Sequence, residues 1–452
     1  MTREQNNNYF LNSALFSGLQ RLSVMVFGIA SFFVLSRALT KEHRGVWDLF
    51  LAITANIELF RQCLVRNAYI KYLNSSNESE IPKIGSAALV MNIGVTVIIG
   101  VLMAIFNIPF SNFLHAPALA RVLYIFLIGL VILIPFSHFE WTQNAYSDFR
   151  GIFWAYLVRQ CTWFTLMLIH LFVFDGIELY QLAIYYVIGI VAGTFMSYRF
   201  VRKFLHKEFK PSWDWIKTLW NFGKIILGSG FSTMVFKNAD QTFIPRILGT
   251  ATLAVYNTAL RVVNLLDLPS HIISEVMFPK SAKTAGGGNI SQLKYLYEKS
   301  VGSVLSILIP AIIFIAVFPG FIISILAGNQ YLDAVIILRV LLINSIFTAF
   351  LKQFATIMDS SGRAKANFRL ISFMAILCVV LCYVFVKQLQ SPLGAGYAIT
   401  ITHIVGFIVS QYLLRKHYNI NFLNTFKYAI QFYPEMYRKL KEIFFKKWRA
   451  SL

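Results

Sequence analysis

Charge is scarce in this chain, and negative charge scarcest of all: only 13% of its 452 residues are charged, with 20 Asp and Glu against 41 Lys and Arg. Ordinary soluble domains carry roughly 25% charged residues, so a water-facing globular class is excluded. Cysteine is scarce too. Its four copies, Cys63, Cys161, Cys378 and Cys382, lie in or beside apolar runs without metal-site spacing. They read as small packing residues and say nothing about redox compartment. Reactive motifs are missing: there is no Walker loop, no H-E-x-x-H and no G-x-S-x-G element, and GSG at 228–230 reads as a small-residue packing spot. Direct ATP drive, a bound metal and a cofactor are therefore not expected. Catalysis has no support in the sequence, and the chain is expected not to be an enzyme.

What the chain does have is apolar length. It is 57% hydrophobic, and runs of about 20 apolar residues recur from end to end, each enough to cross a hydrocarbon core of about 30 Å as a helix. An all-α polytopic membrane protein is expected, with about twelve spans near 10–36, 46–65, 84–106, 118–139, 151–173, 179–199, 219–245, 252–278, 300–320, 331–355, 367–387 and 393–414. The first run is too long for a signal-peptide core and lacks a small-residue exit, so it is expected to remain as a span.

The formal net charge of +21 raises nucleic acid as a partner, but its placement argues against that. Basic residues gather in alternate short loops: Arg66, Lys71 and Lys83; Arg150; Arg202, Lys203, Lys207, Lys210 and Lys217; Lys280, Lys283, Lys294 and Lys299; Arg363 and Lys365. The other loops are nearly bare, apart from Arg37, Lys41 and Arg44 in the first. The positive-inside rule then puts both termini in the cytoplasm and the chain in the cell inner (cytoplasmic) membrane. Outer loops of only about 4 to 14 residues leave little room for a membrane glycosyltransferase or polymerase that handles sugars outside.

The two halves echo one another. Arg37-Ala38-Leu39 with Val46-Trp47 returns as Arg246-Ile247-Leu248 with Val255-Tyr256, a pattern R-x-L-x6-V-[WY] at an offset of 209 that also sets Glu58 opposite Asp267. Asp148-Phe149-Arg150 and Ser361-Gly362-Arg363 occupy corresponding turns. Six spans per half make the repeat parallel, which implies two six-helix lobes around a cleft. The expected division is 1–213 for the first lobe, 214–414 for the second, and a basic amphipathic tail at 415–452, whose Leu440, Phe444 and Trp448 suit an interfacial helix on anionic lipid.

Three segments, SRALTKEHRGVWDLF, NADQTFIPRILGTATLAVYNTALRVVNLL and MDSSGRAKANF, resemble the polysaccharide flippases of the multidrug/oligosaccharidyl-lipid/polysaccharide (MOP) exporter superfamily, the Wzx-type O-unit flippases. The resemblance implies a MATE-like fold. It also implies a polyprenyl-pyrophosphate-linked oligosaccharide carried from the inner to the outer leaflet by alternating access, for surface polysaccharides such as O-antigen.

Charges inside spans cost about 2.5 to 3.5 kcal/mol each and normally face protein or water. In the eighth span Asn257, Arg261, Asn264, His271 and Glu275 fall within about 80° on an ideal helix, with Asp267 roughly 120° from Arg261 and Pro269 permitting a bend. Lys237 and Asp240, three apart, are expected to neutralise each other, and so are Glu58 and Arg61. Asp240 also resembles an acid recurring in the family's seventh span. Arg21 lies in a polar stretch of the first span. A head-group site of Arg21, Lys237, Arg261, Asn257 and Asn264 is expected, its cationic excess suited to pyrophosphate oxygens. Asp240, Glu58 and Asp267 stand as proton- or sodium-coupling groups or as structural partners. For lone residues such as His170 and His403 a satisfied packing role is expected. The alternatives are a lipid II flippase or a MATE-like cation/drug exporter, the latter expected to have an acid-dominated site.

Overall fold

The structure, a computed structural model, describes residues 3–174, 176–205 and 208–450, with side chains described from residue 15 onward except 229, 439, 440 and 442–450. It is helical throughout, without a strand among the described residues. The chain divides into two compact units, Met1–Met234 with Leu248–Ala254, and Val235–Ile247 with Val255–Leu452.

The first unit holds α1 (Arg3–Ala38), α2 (Lys41–Arg61), a π turn over Gln62–Arg66, α3 (Asn67–Ser75), α4 (Ile81–Phe113), α5 (Pro117–Ala145), α6 (Phe149–Val173), α7 (Leu179–Val201) and the first part of α8 (Trp213–Leu248). Helix starts follow local chemistry. Thr40 accepts from the His43 N–H at 3.3 Å to cap α2, and Asp148 accepts from the Gly151 N–H at 3.3 Å to cap α6.

Glycine lets the first part of α8 lie close against the end of the second expected span. A Cβ on Gly223 would sit 1.9 Å from the Leu64 carbonyl oxygen, and one on Gly230 would sit 2.5 Å from the Cys63 Sγ. Both contacts fall on the π turn.

The second unit begins with the remainder of α8 and of α9 (Thr250–Leu266), then α10 (Leu268–Gly286), α11 (Ile290–Val317), α12 (Pro319–Leu326), α13 (Ala334–Ser360), α14 (Ala364–Leu389), α15 (Leu393–Tyr418) and α16 (Leu423–Ala450). The expected eighth span is thus two helices, broken at Asp267 just ahead of Pro269, whose missing N–H removes a ladder bond there. The turns between α5 and α6 and between α13 and α14 close alike. Asp148 N–H reaches the Gln143 carbonyl at 2.8 Å and Arg363 N–H reaches the Met358 carbonyl at 2.8 Å, each after a left-handed residue, Ser147 or Gly362.

Among the described residues nine helical segments are long and apolar enough to cross a membrane: those of α1, α4 to α7, α11 and α13 to α15. The second, seventh and eighth expected spans fall outside this set, and each carries three charged residues. α16 packs on α11: Glu298 accepts from the Asn421 N–H at 3.0 Å and from Asn424, and Lys299 pairs with Glu435 at 3.0 Å. The side chains of Leu440, Phe444 and Trp448 lie outside the described residues.

Gly223→Ala is expected to lower stability by about 1 to 3 kcal/mol, since backbone must move to admit the methyl group. A detergent thermal-unfolding midpoint equal to wild type would show that this contact is not tight.

Candidate functional site

The second unit encloses a polar cavity of about 420 Å³, within the usual size of small-molecule pockets. α8 contributes Lys237 and Asp240, the α9–α10 junction Asn264, Asp267 and His271, α13 Asn344 and Ser345, and α15 His403. Helical spacing explains the set, because residues three or four apart share a face.

Lys237 is exposed into this space, whereas Asp240 is buried. The expected Lys237–Asp240 neutralisation does not take the form of an ion pair. Asp240 accepts from the Gln241 N–H at 2.7 Å, and the buried Tyr256 hydroxyl lies beside it without a well-formed hydrogen bond to any described residue. Behind this wall Gln241 and Asn257 exchange amide hydrogen bonds of 2.7 and 3.1 Å.

Across the cavity Lys352 donates to Asp267 Oδ2 at 2.6 Å, and His271 Nε2 lies 3.3 Å from the same oxygen. Asp267 Oδ1 and Asn344 Oδ1 are buried and have no hydrogen-bond partner among the described residues. His403 spends its Nδ1 on the Ile399 carbonyl at 2.9 Å, and His170 pairs with the Tyr185 hydroxyl at 2.8 Å, as expected of packing histidines.

Of the expected site, Lys237, Asp240, Asn264 and Asp267 line one cavity, and Asn257 stands behind it. Arg261 is half-buried and not among the lining residues. Arg261, although on the same continuous helix α9 as Asn264, is not on the wall, whereas Asp267 at the helix break shares the cavity with Asn264 and His271. Arg21 and Glu58 belong to the first unit, Arg21 exposed and Glu58 half-buried. With Arg261 off the wall and Lys352 matched to Asp267, the cavity is closer to charge balance than the sequence implied.

The first unit has a polar core of its own. Glu58 does not pair with Arg61: Arg159 on α6 donates to Glu58 at 3.2 Å and to the Tyr186 hydroxyl at 2.9 Å. Arg61 turns instead to Asn92 Oδ1 at 2.7 Å and to the Leu133 carbonyl at 3.0 Å. Sequence reasoning missed Lys352, Arg159 and Glu140. A signal for the last was present in PFSHFEWTQ, residues 135–143, a polar run inside an apolar span whose Ser137, His138, Glu140, Thr142 and Gln143 are all buried.

Residues 34–336 match the family described as "Polysaccharide biosynthesis protein". The teichuronic acid biosynthesis protein TuaB of Bacillus subtilis is 26% identical over 49% of this chain and 45% of its own length. Agl15 of Haloferax volcanii, described as a probable low-salt glycan biosynthesis flippase, is 22% identical over 47% of this chain and 45% of its own. The matched region thus spans less than half the length of these curated relatives. The inward-facing conformation of a multidrug resistance MATE family transporter of the MOP superfamily has the same fold, with a TM-score of 0.76 and 15% identity over 90% of this chain and 98% of that one.

Lys352→Met is expected to destabilise the fold by about 2 kcal/mol by leaving Asp267 without its cation. Asp267→Asn added to it should recover part of the loss in a thermal-unfolding double-mutant cycle. Strict additivity would show that the pair is uncoupled.

Proposed function

Because the chain belongs to the family of polysaccharide biosynthesis proteins, we propose that it is a flippase. Its substrate is a polyprenyl-pyrophosphate-linked oligosaccharide, moved from the inner to the outer leaflet of the cytoplasmic membrane by alternating access. In this reading the chain spans twelve times with both termini in the cytoplasm, the second, seventh and eighth segments being tolerated because their charges face protein. Lobes at 1–213 and 214–414 perform the cycle, and the tail at 415–452 rests on anionic lipid, with possible partners otherwise limited to substrate, membrane lipid and a coupling proton or sodium ion.

The observation that carries the proposal is the polar cavity of the second unit, which holds charged, amide and imidazole groups among apolar helices, with the Lys237 ammonium exposed into it. A groove for a greasy solute has no need of such groups. A phosphate-bearing head group does, because Lys237 supplies a charge-assisted donor, His271 a second donor when protonated, and Asn264 a neutral one. A cation/drug site would be dominated by acids, and the two acids here are each engaged by a neighbour. Arg261 and Arg21 remain proposed head-group contacts at other stages of the passage.

Lys237→Ala is expected to cut transfer of a fluorescent polyprenyl-pyrophosphate oligosaccharide in proteoliposomes by about tenfold or more, the worth of one charge-assisted contact, with Lys237→Arg retaining part of it. Arg261→Ala should lose transport while folding normally, and Arg261→Lys should keep some. Wild-type transfer by a well-folded Lys237→Ala variant would remove the cavity from the substrate path.

A further inference from the structure

Glu140 sits in the buried polar run of α5, 9% exposed. Its carboxylate accepts one hydrogen bond, from the Tyr156 hydroxyl of α6 at 3.1 Å, and no cation lies within ion-pair distance among the described residues. An ionised carboxylate in such surroundings is costly unless paired, and a proton removes the cost.

The neighbouring cations are close but engaged elsewhere or turned away. Arg159 is committed to Glu58 and Tyr186. Arg61 and Arg66 are near enough to interact electrostatically with Glu140, yet Arg61 Nη1 and Arg66 Nε are buried without a hydrogen-bond partner among the described residues. An acid without a cation thus stands beside two arginines with spare donors. The titratable and charged groups facing Glu140 from its neighbours are Glu58 and Arg61 of α2, Arg66 of the π turn, and Tyr156 and Arg159 of α6; Tyr186 of α7 joins through Arg159.

Arg61 and Arg66 bracket the π turn at Gln62–Arg66, a helical defect of the kind that marks functional positions. On that turn rest Gly223 and Gly230 of α8, in contact with Leu64 and Cys63. α8 is one continuous helix that carries Lys237 and Asp240 into the cavity of the second unit. A movement of the π turn therefore has a direct steric route to the first part of α8.

We propose that Glu140 is a proton-binding site that drives this route. Protonated, it stays with Tyr156 and leaves the spare arginine donors idle. When it gives up the proton, the carboxylate draws Arg61 Nη1 or Arg66 Nε toward it, the π turn shifts, and α8 is displaced through Gly223. The two arrangements are exclusive packings of the same groups, which is what couples a proton to a conformational change.

The inference rests on the flippase proposal, and one assay separates the two. In proteoliposomes loaded with the fluorescent polyprenyl-pyrophosphate oligosaccharide, an imposed pH gradient is expected to change the wild-type transfer rate by about tenfold. Glu140→Gln should abolish that response while keeping gradient-independent transfer, and Tyr156→Phe should keep the response with its pH midpoint shifted. Wild-type transfer that ignores the pH gradient would overturn the proton site and leave the flippase standing, whereas no transfer at all would overturn the flippase. A second readout needs no transport: the infrared carbonyl band of a protonated carboxyl, present in purified wild type at neutral pH and absent in Glu140→Gln. Its presence in both proteins at equal strength would also overturn the assignment.

Discussion

A charged side chain inside an apolar helix bundle is tolerated only when another group answers it. Much of this molecule's internal order follows from that constraint. The two acids aligned by the repeat, Glu58 and Asp267, are each met by a cation from a different helix, Arg159 at 3.2 Å and Lys352 at 2.6 Å. The partners come from non-corresponding places in the chain, Arg159 from α6 and Lys352 from α13. Each pair ties helices at depths where the hydrophobic effect gives little direction, because lipid is as apolar as the side chains it would replace.

The same constraint explains what was legible in the sequence. Apolar length, the helical class and the presence of intramembrane charge follow from composition and spacing along one chain. So did the gathering of Lys237, Asp240, Asn264 and Asp267, which lie on neighbouring helices joined by a short turn. Pairing across distant helices did not follow. Spacing of three made Glu58 and Arg61 look like partners, yet Arg61 reaches Asn92 and the Leu133 carbonyl, because packing of α4 and α5 against α2 offers better geometry than its own helix face. Arg261 and Asn264 share one face of the continuous helix α9, yet only Asn264 lines the cavity, because a shared helical face does not settle which side chains reach a given wall. Glu140 was visible as a letter but not as a site, since its significance depends on which groups do not reach it.

The near balance of charge in the second unit's cavity bears on how a transporter works. A cluster of unopposed arginines would hold a pyrophosphate firmly, and a carrier that binds firmly on one side must recover that free energy to release on the other. One exposed lysine, with the acid Asp267 already matched by Lys352, offers recognition without a deep trap. If such a site is also moved by α8, the Lys237 ammonium need not change its own chemistry to let go. Displacing the helix that carries it is enough.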